Sequence, residues 1–281
     1  SLYLARDATC EDNFGMKAQD LNGKTIAFAG SGGLDSCTIT RWLTDRGVRV
    51  ICFTADLGQP DEDDTEAIKA RMLLAGAEDF VLLPAREAIA EAGVSVIQSQ
   101  ACYEGRYWNT TGIARCVLAK LMIQEMQKRG LTIFSHGATG RGNDQVRFQL
   151  ITNMLAPEFE VYAPWRDEEF LARFPGRSEM IDFCQENGLS VSATKDKPYS
   201  TDANLLGLTH ESGMLEALTT PAHFVKPIMG CYPAEAPDES EEFTVHFEQG
   251  RPVKINGNSV NLVEAFLRAN AIGGRHGIGI G

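Results

Sequence analysis

An α/β fold with a parallel sheet over roughly residues 25–150, followed by an α+β region, is predicted by three features of the sequence. Unbroken apolar runs of strand length alternate with helical segments in the first half. Two glycine-rich segments each directly follow such a run. The second half drops this rhythm and changes to period-two alternation.

Thr25 to Gly30 is a short apolar run ending in glycines, and Asp35 to Arg46 follows as a helix. Val48 to Ala55 is a β-branched and aromatic run. Asp63 to Ala75 carries Ile68 and Met72 at i,i+4, one face of a helix. Phe80 to Leu83 and Leu131 to Ser135 supply two more strands. Between them, Arg115 to Arg129 gathers Val117, Leu118, Leu121 and Met122 on one face and turns Glu125, Lys128 and Arg129 elsewhere. Continuous apolar runs suit strands buried on both faces of a parallel sheet. Ligands of such layers bind beyond the carboxyl ends of the strands. Pro157 to Trp165 is the expected boundary between the halves. Beyond it, Phe243, Val245 and Phe247 alternate, Gln249-Gly250 turns, and Val253 and Ile255 alternate again, which predicts a half-buried antiparallel hairpin. Ala234 to Glu242 is acidic, carries two prolines and reads as an exposed loop, and Val260 to Asn270 reads as a helix. The last residues, GGRHGIGIG, show no closing element, so the second region is expected to be C-terminally incomplete.

The 281 residues fit two domains at roughly 100–200 residues each. Lys and Arg number 26 against 38 Asp and Glu, a net charge of −12. A nucleic-acid surface needs a basic field, so no nucleic-acid partner is expected, although a local basic pocket for a small anion stays open. No apolar run approaches the ~20 residues of a membrane span, and no membrane association is expected. Residues 1–20 lack the apolar core of a signal peptide. The seven cysteines are odd in number and form no C-x-x-C pair, and several lie in apolar runs, as buried free thiols do. A cytoplasmic protein without a disulfide framework or structural zinc is expected.

The first glycine-rich segment is Gly30-Ser31-Gly32-Gly33-Leu34-Asp35-Ser36. Glycines let the backbone approach an anion, and the helix that follows offers unpaired N–H groups and its positive dipole end. Ser31 and Ser36 add hydroxyls. Three nucleotide loops compete. A Walker A loop needs G-K-[S/T], and no such Lys is present. A dinucleotide fingerprint needs a third glycine where Asp35 stands, although Asp56, about 20 residues on, mimics its ribose acid. The third is S-G-G-x-D-S, the loop of ATP pyrophosphatases, where the acid belongs beside Mg²⁺ on phosphate oxygens. The plain alternative is a tight turn with Ser31 and Asp35 capping the helix.

The second segment runs from Ser135 to Asp144 and continues through Arg147 and Phe148. Two such loops after separate strands are placed to meet at one sheet edge. Arg141 and Arg147 supply fixed positive charge, and Asn143 and Asp144 an amide and an acid for an amino-acid ligand. The plain alternative has Asn143 capping a helix and Asp144 pairing with Arg147 at i,i+3.

SGGLDS (31–36), TADLGQPDED (54–63), YWNTTGIAR (107–115), HGATGRGNDQVRF (136–148), APW (163–165), YSTDANLLGLTHE (199–211) and the run from FEQGRPVKING (247–257) to ANAIGGRHGIG (269–279) occur in this order. Together they resemble the argininosuccinate synthase family, in a bacterial branch with N-T-T and T-H-E. The resemblance covers residues 25–279. It implies an ATP pyrophosphatase-type (adenine nucleotide α-hydrolase-like) domain over residues 20–160. A synthetase domain over 161–281 and an N-terminal extension over 1–19 complete the chain.

The family joins citrulline to aspartate while ATP is cleaved to AMP and pyrophosphate. By resemblance, Gly30, Ser31, Gly32, Gly33, Leu34, Asp35, Ser36 and Cys37 would hold the phosphates, with Mg²⁺ accompanying the ATP. Ala55 and Gln59 would border the nucleotide, and His136 and Gly137 would lie at it. Tyr107, Thr111, Asn143, Arg147, Ser200 and Thr209 match positions that contact citrulline. Thr110, Thr139, Asn143 and Asp144 match the aspartate site. Asp35, Asp144 and Arg147 are the expected catalytic residues, and no side-chain metal cage is expected. Tyr107 and Trp108 have a plain reading as core aromatics, Ser200 and Asp202 as a turn, and Thr209 to Glu211 as a polar helix face.

The sequence departs from the family in three places, one of them Ala29-Gly30 before Ser31, which is expected to lengthen or reshape the strand end. Ser36 and Cys37 stand where the family loop has Thr and Ser, and a helix N-terminus is expected to lower the Cys37 thiol pKa. Family members continue beyond GRHGIG with a motif that supplies a Glu and a Tyr to citrulline, and a C-terminal helix that helps build a homotetramer. The rival readings are a nucleotide-binding module without turnover, a tRNA-modifying ATP pyrophosphatase and, last, a dinucleotide oxidoreductase. Paired reactive cysteines and a basic face for tRNA are not evident in the sequence.

Overall fold

The structure is a computed structural model that describes residues 15–60, 64–140, 142–189, 199–211 and 213–279. The N-terminal extension up to residue 14, the acidic end of the 54–63 motif and Arg141 lie outside the described residues.

Five parallel strands form the central layer: β1 (Thr25–Ala29), β2 (Arg49–Asp56), β3 (Asp79–Pro84), β4 (Ile133–His136) and β5 (Glu160–Tyr162), in the order β3-β2-β1-β4-β5. Their side chains alternate between two cores. Ile26, Phe28, Val50 and Cys52 face one core, and Ala27, Phe53 and Ala55 face the other. Both faces are therefore dry, which is why these strands read as continuous apolar runs. α1 (Leu34–Thr44) and α2 (Thr65–Leu74) cover the first face, with Ile68 and Met72 inward as their spacing predicts. The Asp64 carboxylate caps α2 by accepting the Ala67 N–H at 2.9 Å. α3 (Arg86–Gln98), α4 (Thr110–Arg129) and α5 (Asn143–Leu155) cover the second face, and α4 stops at Gly130, whose φ of 67° ends the helix.

β5 lies inside the stretch expected to be a boundary. It pairs in parallel with β4, Phe134 opposite Val161. α6 (Glu168–Arg173) and α7 (Arg177–Glu186) then return to the first face. Phe170 meets the Trp42 ring edge-on at 5.2 Å, Trp165 at 5.3 Å and Phe174 at 4.9 Å. Because these rings seal the outer side of α1, the α/β core runs past residue 160 to Leu189.

A hairpin of β6 (Ser200–Asn204) and β7 (Gly207–Glu211) follows, then a sheet of β8 (Val245–Glu248), β9 (Arg251–Ile255) and β10 (Asn258–Ser259). The β8–β9 pairing matches the alternation in sequence, but the hairpin is less buried than expected. Phe243 and Phe247 are 40% and 59% exposed while Ile255 is buried. The reason is that α8 (Leu262–Arg275) packs on β9, not on the outer strand β8. Asn261 and Glu264 cap α8 reciprocally, at 2.9 and 3.1 Å. The helix runs through Gly273 and Gly274, so the glycine-rich tail is partly structured. A Cβ on Gly274 would strike the Met229 carbonyl oxygen, and the Cys231 N–H donates to the Gly274 carbonyl at 3.1 Å. Gly93 on α3 likewise leaves room for Leu206 and Phe266, which seats the second region on the first.

If α6 belongs to the α/β core, Phe170→Ala should lower unfolding free energy by about 3–5 kcal/mol in a denaturant titration followed at the sheet. A loss under about 1 kcal/mol would place α6 outside that core.

Candidate active site

The strand order reverses between β1 and β4. Their carboxyl ends lie side by side, with Ala29 opposite His136. Both glycine-rich loops leave from this point, the usual ligand edge of an open α/β sheet.

The first loop is held from below. The Gly30 N–H donates to the Phe53 carbonyl at 3.0 Å, and the Thr54 hydroxyl donates to the Gly30 carbonyl at 2.6 Å. A Cβ on Gly30 would lie 2.9 Å from Cys52 Sγ and 3.0 Å from the Phe28 ring, so the residue must be glycine to sit here. The Ser31 N–H donates to Ser36 Oγ at 3.0 Å. Gly32 has φ of 73°, and its carbonyl accepts Arg71 Nε at 3.0 Å. Gly33 is the N-cap of α1 without a side-chain cap. Ser31 does not cap this helix, the Asp35 carboxylate turns to its own N–H, and the other leading amides stay open to an anion. Leu34 and Ser36 are buried beneath the loop, and Asp35 is half-buried. Burial raises the Asp35 carboxyl above its ordinary range, and the Arg177 guanidinium opposes part of that rise.

Cys37 behaves differently from its expectation. It is 1% exposed, and burial pushes its thiol up to about 12. The Sγ donates to the Gly32 carbonyl at 3.5 Å and the Cys37 N–H to the Gly33 carbonyl at 3.0 Å. Desolvation here outweighs the helix N-terminus, and the residue braces the loop from inside.

The second loop rests on the first. A Cβ on Gly137 would lie 3.6 Å from Ile39 and 3.9 Å from the Asp35 Cβ. His136 is 1% exposed, stacks on Phe148 at 4.8 Å, and accepts the Ala138 N–H at Nδ1. Its Nε2 has no hydrogen-bond partner among the described residues. Burial brings its pKa down to about 4, so it is neutral at pH 7 with its proton on Nε2. Gly142, not Asn143, is the N-cap of α5, again without a side-chain cap. The Gly142 N–H donates to the Thr139 carbonyl at 3.3 Å, and Gln145 ties the loop back through the Ala138 carbonyl at 2.7 Å.

Beside this loop the N-terminus of α4 and the β6–β7 hairpin converge. The Thr111 N–H donates to the Tyr107 hydroxyl at 3.1 Å, and the Thr111 and Thr209 hydroxyls lie 3.3 Å apart. Asn204 donates to the Thr110 carbonyl at 3.2 Å, and Thr110 is buried. Arg147 lies over Gly112, where a Cβ would come within 3.2 Å of its guanidinium. Arg147 pairs with Asp144 at 2.7 Å, the i,i+3 contact weighed in the sequence. Arg115 pairs with Asp144 at 2.8 Å and with both Asp202 oxygens at 2.8 and 2.9 Å. Burial would raise the Asp144 carboxyl, but the two guanidiniums outweigh it and hold the group below its ordinary range.

The expected site residues thus fall into joined groups. Gly30 to Ser36, Gly137 and His136 line the loops. Tyr107, Thr111 and Thr209 form one cluster, Asp144 and Arg147 another, and Thr139 and Asn143 sit at the start of α5. Ala55 and Gln59 stand at the end of β2, where Gln59 receives the Leu57 N–H at 2.9 Å and donates to the Ala55 carbonyl at 3.1 Å. A hollow of about 260 Å³ opens beside them, lined by Gln59, Arg86, Leu205, Met229 and Leu267. Ser200 stands apart at the open end of β6, opposite Glu211. Trp108 is 43% exposed and is not a core aromatic, and Ser200, Asp202 and Thr209 to Glu211 are strand residues rather than turn or helix. Arg115 and Asp202 had no assigned role. Their signal was in the motifs all the same, as a guanidinium closing YWNTTGIAR and an acid inside YSTDANLLGLTHE.

Comparison with known proteins gives matches to two family models and to curated relatives. Residues 25–190 match the Arginosuccinate synthase N-terminal HUP domain, and residues 199–280 the Arginosuccinate synthase C-terminal domain. An argininosuccinate synthase of Rhodopirellula baltica (strain DSM 10527 / NCIMB 13988 / SH1) is 42% identical over 258 residues, which is 91% of this chain and 64% of that protein. The chain therefore spans less than two thirds of the length of this relative.

Gly32→Ala forces a side chain into left-handed backbone and within 2.9 Å of Ile68, so it should cost about 1–2 kcal/mol in the loop. Nucleotide affinity by calorimetry should fall roughly tenfold or more. The His136 pKa is depressed in the folded state, so the unfolded chain takes up the proton first as pH falls. Stability should be full above pH ~6.5 and decline toward pH ~4, with about 2 kcal/mol gone at pH 5. Denaturant titrations at pH 7 and 5 should show this component in the wild type and not in His136→Asn.

Proposed function

We propose that this chain, which belongs to the argininosuccinate synthase family, uses ATP to join citrulline to aspartate, releasing AMP and pyrophosphate. The observation that carries the reading is the continuity of the site. Two amide-rich loops at the β1/β4 reversal adjoin Asp144 and Arg147, and these adjoin the Tyr107–Thr111–Thr209 cluster.

In this reading the open amides of α1 and the backbone of Gly30 to Gly33 receive the triphosphate, and the hollow beside Gln59 gives the purine an apolar wall. Citrulline lies along Thr111, Thr209 and Arg147, with Ser200 at its outer side. Its ureido oxygen attacks the α-phosphate, forming citrullyl-AMP as pyrophosphate leaves. The aspartate amine then displaces AMP. Such chemistry depends on placement and charge, and no protein nucleophile is required. Thr110, Thr139 and Asn143 orient aspartate, and Asp144 faces its ammonium. A carboxylate held below its ordinary range is a poor proton acceptor, so Asp144 serves by its charge.

Among the described residues no three His, Cys, Asp or Glu side chains group as a metal cage. Mg²⁺ entering with ATP would be held by phosphate oxygens and water, with Asp35 as the carboxylate of the loop, and would neutralise the departing pyrophosphate. A cytoplasmic homotetramer is part of the same proposal. No helix among the described residues is long and apolar enough to cross a membrane.

Pyrophosphate release from ATP and Mg²⁺ tests this directly, with citrulline and aspartate added singly and together. Release should require citrulline, and argininosuccinate should form only with both amino acids. ATP binding without release would overturn the reading and leave a nucleotide-binding module.

A further inference from the structure

The partly buried ion network around Arg115 sits where three chain segments meet. Arg115 lies on α4, Asp144 on the first turn of α5, and Asp202 on β6. One face of the Arg115 guanidinium takes an Asp144 oxygen at 2.8 Å, while Nη2 takes both Asp202 oxygens at 2.8 and 2.9 Å. Arg147 binds the other Asp144 oxygen at 2.7 Å. Two guanidiniums and two carboxylates thus form a neutral set. Asp202 lies directly across the hairpin from Thr209, whose hydroxyl meets Thr111 one helical turn before Arg115.

From this arrangement we infer that Arg115 is a positioning residue that pins the β6–β7 hairpin to the second loop and so fixes the distance between the two amino-acid sites. The inference rests on the ligase reading above for the identity of the ligands, but not for the pin itself. Arg115 is assigned no ligand contact of its own and acts through the carboxylates it binds. It holds Asp144, on the aspartate side, and Asp202, on the strand pair that carries Thr209. A planar fork can grip two carboxylates at once, whereas an ammonium is a point donor and cannot keep both grips. Each Asp144 oxygen keeps a further lone pair, so both guanidiniums can stay in place while an ammonium is received. Without Arg115, Asp202 would lose its partner and the hairpin this charged attachment, leaving the Asn204 bond to the Thr110 carbonyl and the ties of Leu205 at its turn to hold Thr209 near Thr111 less firmly.

The test uses the whole chain with Arg115→Lys and Asp202→Asn. Amide hydrogen exchange reads the pin, and calorimetric titration of citrulline and of aspartate, in the presence of a non-hydrolysable ATP analogue, reads its consequence. In both variants amides of residues 200–211 should exchange roughly tenfold faster, while β1, β2 and β4 keep their protection. Citrulline affinity should fall roughly tenfold in both. Aspartate affinity should fall by a similar factor in Arg115→Lys and by less in Asp202→Asn, where Arg115 still holds Asp144. ATP-analogue affinity should stay within about twofold of wild type. Unchanged hairpin exchange in both variants overturns the inference, as does loss of protection throughout the sheet, which would make Arg115 a general structural residue. A wild type that binds neither amino acid would defeat the ligase reading alone. Hairpin exchange would then still decide the pin.

Discussion

The parallel pairing of β1 with β4 is the constraint on which the rest depends. Connections through α1 and α2 run one way from β1, and those through α4 and α5 run the other way. At that junction no crossover covers the strand ends. Two helices start there with uncapped amides, from Gly33 and Gly142. Everything polar in the site is then arranged around this fixed gap. Gly137 sits on Asp35, Arg147 lies across Gly112, and the β6–β7 hairpin closes the far side.

What could be read from the sequence followed from burial. Strands covered on both faces must be apolar throughout, so β1 to β4 stood out, as did the loops that follow β1 and β4. α2 was visible because Ile68 and Met72 keep helical spacing. β5 was hidden by its length of three residues, and with it the continuation of the first core into α6 and α7. α3 was passed over because Ala90 and Gly93 interrupt the Ile89, Val94 and Val96 of its inner face, and Gly93 is small for partners, Leu206 and Phe266, far along the chain. The exposure of Phe247 was illegible for the opposite reason. Alternation shows which residues share a face, not whether anything lies over it.

The site shows the same division. The glycines and acids of the loops could be recognised because the backbone there must approach an anion. The Cys37 thiol was read from the helix terminus beside it, yet its pKa is set by the apolar side chains around it. The Arg115–Asp202 pair spans 87 positions, and no local pattern connects such residues. Long-range ion pairs are selected by the folded geometry. They enter the sequence only as isolated charges inside apolar or polar motifs.

The buried Cys37 has a practical consequence for anyone following this loop in solution. With burial pushing its thiol up to about 12, the thiolate is scarce at pH 7, and the sulfur lies under Gly32. Alkylating reagents therefore have no target while the loop is seated. Any labelling at this position would report the rate at which the loop lifts off the sheet, a clock for loop opening that needs no engineered cysteine.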